Sequence, residues 1–169
     1  STSDLVALEA AELLAGVDEA TALERWRIAS TLYRHALYDR AAPILEGLEG
    51  VRHNSIPVDQ VLFTRGRCAF RRGRWDEAIE WYRKALAAAK RGRRRAELEV
   101  HIGRAFELAG NLDEAASAAV RAIRLDTTDD RRLFLARLRL RRGEPDLAAQ
   151  GIAHLRSRTA RARGSVMLS

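Results

Sequence analysis

The side chains that could do chemistry are scattered. Four histidines, His35, His53, His101 and His154, are far apart along the chain. Glu97 and His101 are one helical turn apart, but a zinc site needs more ligands than that. Cys68 is the one cysteine, which excludes an internal disulfide and a cysteine metal cluster. A reactive thiol would need a cationic, accessible setting. Arg67, Arg71 and Arg72 keep that option open, but a place two residues after Gly66 on a packed helix face predicts a buried structural thiol. The adjacent acids Asp76-Glu77 and Asp113-Glu114 fall in first helical turns, where they favour the positive end of the helix dipole. Nothing singles out a glycosidase-style carboxylate pair, and neither a zincin motif nor a phosphate loop occurs. The chain therefore reads as no enzyme, with no catalytic residue, metal or cofactor. What does recur is arginine, at Arg67, Arg71, Arg104, Arg137 and Arg141. Arginine forks carboxylates bidentately, so the question is which elements would present these residues together.

The answer lies in Leu62 to Ala89, which reads as two helices joined by a tight turn at Gly73. Gly66 and Gly73 precede Ala78 by 12 and 5 residues, and Ala85 follows it by 7. Small side chains there let two antiparallel helices approach closely, while Trp75, Ile79 and Tyr82 supply bulk at helical spacing. Gly103, Gly110, Ala115 and Ala122 keep the same offsets, as do Ala136, Gly143, Ala148 and Leu155. A weaker copy is Ala29, Ala36, Ala41 and Leu48. The central alanines Ala41, Ala78, Ala115 and Ala148 stand 37, 37 and 33 residues apart, a period that signals a helical solenoid.

On these residues the chain resembles the tetratricopeptide repeat family. The likeness is carried by Gly66, the turn Gly73-Arg74-Trp75, the run Asp76-Glu77-Ala78-Ile79, then Tyr82, Ala85 and Leu86. Asn111-Leu112-Asp113-Glu114-Ala115 repeats the turn. It covers about residues 20 to 160. The family's usual aromatic near the start of the first helix is replaced by Leu62 and Glu99, and the closing proline is absent after the second and third copies. The resemblance implies an all-α, right-handed α-α superhelix of about four helix pairs plus an N-terminal helix. Residues 1–169 would form a single repeat domain, with repeats at about 22–55, 59–92, 96–128 and 129–162.

Composition agrees with helix. Of 169 residues 47% are apolar, only three are proline, and no apolar run is long enough to span a membrane. The net charge of +7 is uneven: residues 1–64 hold ten acids and five bases, the remainder 13 acids and 25 bases. Lys84 and Lys90 are the only lysines, a bias that a GC-rich genome alone can produce. The apolar end Val166-Met167-Leu168-Ser169 and the missing initiator Met suggest a piece of a longer protein.

Along the chain, residues 4 to 15 form an amphipathic helix with Leu5, Leu8, Ala11 and Leu14 on one stripe. Asp18 opens a helix to about Ala36, and Asp39 one to about Glu49, with Pro43 near its first turn. Pro57 opens the next helix after a loop from Gly50. Residues 90 to 95 read as a basic connector, and Ala96 to Ala109 as a helix. Asn111 with Glu114 suggests a capping box. Residues 131 to 142 form another helix, and Glu144-Pro145 opens the last, reaching about Ala162.

The resemblance implies that the first helix of each pair lines the concave side, where family members commonly bind peptides. Offsets from Gly66 place Ser30, Arg34, Arg67, Arg71, Arg104, Leu108, Arg137 and Arg141 on that stripe, with Trp26, Phe63, Val100 and Leu133, and Tyr33, Phe70, Glu107 and Leu140, beside them. An acidic, partly hydrophobic peptide would suit Arg67, Arg71, Arg104, Arg137 and Arg141, with Tyr33, Phe63 and Phe70 taking apolar anchors. The rings read first as inter-repeat core, and the arginines read equally as a solvated face. Two other functions stay open. One is the superhelical N-terminal region of a bacterial lytic transglycosylase, which would be periplasmic. The other is an RNA- or polyanion-binding solenoid using residues 90–95, although no aromatic is interleaved there for stacking. A protein or peptide partner in the cytoplasm is the leading expectation. Oligomeric state is not encoded in any pattern here.

Overall fold

The computed structural model describes residues 20–51, 53–155 and 158–168. The described residues form nine helices: α1 (Ala22–Arg34), α2 (Tyr38–Glu46), α3 (Val58–Arg71), α4 (Trp75–Ala88), α5 (Gly92–Leu108), α6 (Leu112–Leu125), α7 (Asp129–Arg141), α8 (Pro145–Ala153) and α9 (Arg158–Leu168). A single isolated bridge, His53 to Ile56, interrupts an otherwise all-helical set. The chain divides into two compact units, Ser1–Ala88 with α1 to α4 and Ala89–Ser169 with α5 to α9. Within them the helices pair as antiparallel hairpins, α1 with α2, α3 with α4, α5 with α6 and α7 with α8. The fold is an all-α helical repeat. The helix expected over residues 4–15, and its successor's start at Asp18, lie outside the described residues.

One turn closes all four hairpins. In each, an amide donates five residues back to close the first helix: Leu37 to Leu32, Arg74 to Ala69, Asn111 to Phe106 and Glu144 to Arg139, at 2.9–3.0 Å. The residue before each donor takes the left-handed conformation this closure requires. It is Gly73 (φ 74°), Gly110 (86°) and Gly143 (76°) in three hairpins, but Ala36 (61°) in the first.

Small side chains then set the hairpin spacing. Ala41, Ala78, Ala115 and Ala148 are each fully buried. A Cβ added to Gly66 would sit 2.7 Å from the ring of buried Tyr82, and one on Gly103 3.0 Å from the Phe134 ring. In α6 the buried residues are Ala115, Ala116, Ala118, Ala119 and Ala122, so its buried face is methyl-sized. In the first unit Leu32, Ile44, Leu45, Leu48, Ile56 and Val61 form the core with Cys68. Burial pushes the Cys68 thiol up to about 12 and the Tyr82 phenol up as well. The second unit closes on Leu133, Ala136, Ala148, Ile152 and Leu155. Arg65 ties the first unit together. It pairs with Glu46 (3.5 Å) and with Glu49, at and just beyond the end of α2, and lies 3.8 Å over the Trp81 ring.

Several boundaries differ from expectation. α5 begins at Gly92 rather than Ala96, because Arg95 donates to the Arg91 carbonyl and Arg93 and Arg94 both reach Glu97. The basic stretch is thus largely helix. Pro43 sits in the second turn of α2, where a carbonyl loses its donor, and the helix stops at Glu46. Asn111 caps α6 by position only: its side chain makes no cap hydrogen bond. The capping box is instead at Thr21, whose hydroxyl accepts from Glu24 N (3.4 Å) while Glu24 accepts from Thr21 N (2.8 Å). The Thr21 hydroxyl, which donates to the Glu24 carboxylate at 2.6 Å, and then the Thr21 amide hold that carboxyl below its usual range. The last expected helix is two: α8 stops at Ala153, Leu155 turns into the core, and α9 packs against α8, with Gly164 against Ile152.

Candidate partner-binding surface

In the first unit the relevant face belongs to α1 and α3. The Arg67 guanidinium carbon is 5.9 Å from the Tyr33 ring centre and 5.8 Å from that of Phe63. Such cation–ring contacts contribute about 0.5–1 kcal/mol each where water has access. Among the described residues Arg67 makes no ion pair, and its Nε is buried without a hydrogen-bond partner, as is Ser30 Oγ. An unmet buried donor costs about 1–3 kcal/mol, so ring contact, not hydrogen bonding, holds this side chain. Arg71, one turn on, is exposed and has no ion pair among the described residues.

The rings themselves are partly engaged by their own hairpins. Tyr33 leans on Tyr38 (5.7 Å), Phe63 on Tyr82 (5.8 Å), and Phe70 meets Trp75 edge-on (5.0 Å). All three remain half-buried. Trp26 packs against the core.

In the second unit the equivalent face belongs to α5 and α7. Glu107 accepts from Arg137 Nη2 and from Arg141 Nη1, both at 2.8 Å. Its side chain is only 10% exposed against 49% for each arginine. Arg137 also lies 5.4 Å from the Phe134 ring centre. Arg104 is exposed, makes no ion pair among the described residues, and lines a shallow cleft of about 300 Å³ with Leu133, Phe134, Arg137 and Met167. Of the offset-derived residues, Leu108 is 52% exposed and Leu133 is buried. The offsets place Glu107 on this face but do not reveal its fork between two arginines. A signal for it exists, since Glu107 precedes Arg137 and Arg141 by 30 and 34 residues, close to one repeat. No group of three or more His, Cys, Asp or Glu side chains among the described residues is arranged to hold a metal, and no described helix is long and apolar enough to cross a membrane.

Residues 58–128, the second and third hairpins, match the tetratricopeptide repeat family. Those two hairpins are tetratricopeptide repeats. Solved structures share the fold at low identity. MamA from Desulfovibrio magneticus RS-1, residue 41 to its end, superposes with a TM-score of 0.67 at 17% identity, over 79% of this chain and 72% of its own. A thermophilic tetratricopeptide repeat protein of Thermus thermophilus gives 0.64 at 18%, over 98% and 94%. YrrB, described as a tetratricopeptide repeat protein with an unusual peptide-binding site, gives 0.63 at 18%, over 83% and 71%. No curated protein sequence is significantly similar. The leading helix of each hairpin, α1, α3, α5 and α7, is its first helix, and α2, α4, α6 and α8 are the second helices.

Proposed function

We propose that the chain is a non-catalytic repeat scaffold that binds acidic, partly hydrophobic peptide segments of partner proteins on its first helices. Arg67 and Arg71 serve in the first unit, with Tyr33, Phe63 and Phe70 as apolar contacts. Arg104, Arg137 and Arg141 serve in the second. Arg67 carries the proposal. Two rings hold its guanidinium in place with no carboxylate from the described chain, so a ligand carboxylate meets a preorganised charge. The likeness to YrrB, with its peptide-binding site, supports the class of ligand.

The test is selection from a displayed random-peptide library against the chain, followed by the triple variant Arg67→Glu, Arg104→Glu, Arg137→Glu. Selected peptides should combine Asp or Glu with an aromatic or aliphatic residue. The variant should keep its far-UV circular dichroism and lose binding by at least about tenfold, as expected for loss of central charged contacts. Peptides without acids, or equal binding to the variant, would remove the proposal.

A further inference from the structure

A second cleft lies in the second unit, lined by none of the residues assigned to the first-helix face. It is a cleft of about 600 Å³ between the second helices α6 and α8, floored by α7. Ala116 and Leu135, both buried, and Val120 form its base. Leu147 stands at its edge, 43% exposed although large and apolar. Four arginines, Arg121, Arg124, Arg139 and Arg142, surround this base, and Glu144 is the one acid among the lining residues.

These arginines are not equivalent. Arg121 gives its Nε to Glu99 at 2.9 Å, and Glu99 is almost wholly buried, so this pair is internal to the α5–α6 hairpin. Arg142 is shared between Asp113 (2.9 Å) and Glu144 (3.0 Å). Arg139 donates to the Leu147 carbonyl at 2.9 Å and has no carboxylate partner among the described residues. Arg124 likewise makes no ion pair among them. The cleft thus joins an apolar base and an exposed leucine to two uncompensated guanidinium groups.

From this charge and shape we infer that the α6–α8 cleft is a second docking surface, taking an acidic amphipathic segment of a partner protein. An apolar side chain of that segment would cover Val120 and Leu147, and its carboxylates would meet Arg124 and Arg139. A nucleic acid fits less well. The lining offers no ring for a base to stack on, and an apolar base contributes nothing toward phosphates. This surface shares no residue with the first-helix faces and stands independently of their assignment.

The experiment uses the full chain and three labelled probes followed by fluorescence anisotropy. The first is a designed helical peptide of Leu and Glu, the second the same peptide with Leu replaced by Ser, the third single-stranded polyuridine. The Leu/Glu peptide should bind at least about tenfold more tightly than either of the others. Arg124→Glu with Arg139→Glu should weaken it by about tenfold or more, and Leu147→Ser should also weaken it. The Arg67, Arg104, Arg137 triple reversal should leave this cleft's contribution intact, so failure here and failure of the first-helix site are separable. Equal binding of the two peptides, tighter binding of polyuridine, or no effect of the double reversal overturns the inference. So does self-association of the chain that the double reversal abolishes, because the occupant would then be a second copy.

Discussion

Replacing Ala36 by glycine should stabilise the first unit. Ala36 is exposed, so nothing is lost in packing, and it occupies the left-handed position at φ 61° that glycine fills in the other three hairpins. Its amide donates to Tyr33 and the next amide to Leu32, at 3.1 and 2.9 Å, so the closure demands this conformation. Relief of the Cβ conflict is worth about 1–2 kcal/mol. Glycine's greater freedom in the unfolded chain offsets about 0.4–1 kcal/mol of that. The net gain at mid-range is therefore about 0.8 kcal/mol, or a Tm rise of about 2–3 °C. Urea and thermal melts read by circular dichroism measure it. Gly110→Ala is the mirror control. A Cβ there meets nothing within 4 Å at φ 86°, so it incurs only the backbone cost and should lower stability by a similar amount. If the two substitutions shift stability in the same direction, the left-handed turn is not what limits these hairpins.

Further expectations concern packing and pH. Gly66→Ala should destabilise by about 1–2 kcal/mol. The new methyl sits 2.7 Å from the fully buried Tyr82 ring, and overpacking outweighs the better helix propensity of alanine. A denaturation midpoint at or above the parent's would refute that. Ala115→Trp should unfold the α5–α6 hairpin, because the site has no exposed area to receive an indole; loss of native-state amide protection confined to that hairpin is the readout. Stability should also fall in alkali. The folded state raises the Cys68 thiol to about 12 by burial, so its contribution is whole below about pH 9 and is lost as pH climbs toward 12, with Tyr82 acting in the same direction. A melting temperature flat from pH 8 to 11, or rapid labelling of Cys68 by a thiol reagent in the native state, would contradict it.

Much of this architecture is legible in the sequence because it rests on a spacing of small residues. Ala41, Ala78, Ala115 and Ala148 follow from offset alone, and all are fully buried. Gly73, Gly110 and Gly143 announce the turns by type. What stays hidden depends on which partner a side chain chooses. Asn111 has the right type for a cap and makes no cap bond, whereas Thr21 and Glu24 form the complete box. Lys90 to Arg95 read as a connector by charge, yet Glu97 is near enough to turn most of it into helix. The break after Ala153 has no local signal, since its cause is Leu155 entering the core, a tertiary event. On the candidate face, periodicity finds the arginines but not their neutralisation: Arg137 and Arg141 share Glu107, while Arg67 meets rings and no carboxylate among the described residues. The α6–α8 cleft is only half legible: Arg121 and Arg124 fall one turn apart on α6 and read from sequence as a basic patch, whereas Arg139 of α7 joins them only through tertiary packing.

The fork at Glu107 bears on how ionic strength will act. Two guanidinium groups and one carboxylate leave a single surplus charge, so an anion arriving there displaces fewer counterions than two lone arginines would require. Attachment at Arg137 and Arg141 should therefore be less salt-dependent than attachment at Arg67, Arg104 or Arg124. A titration across added chloride would sort the two kinds of site without any mutation.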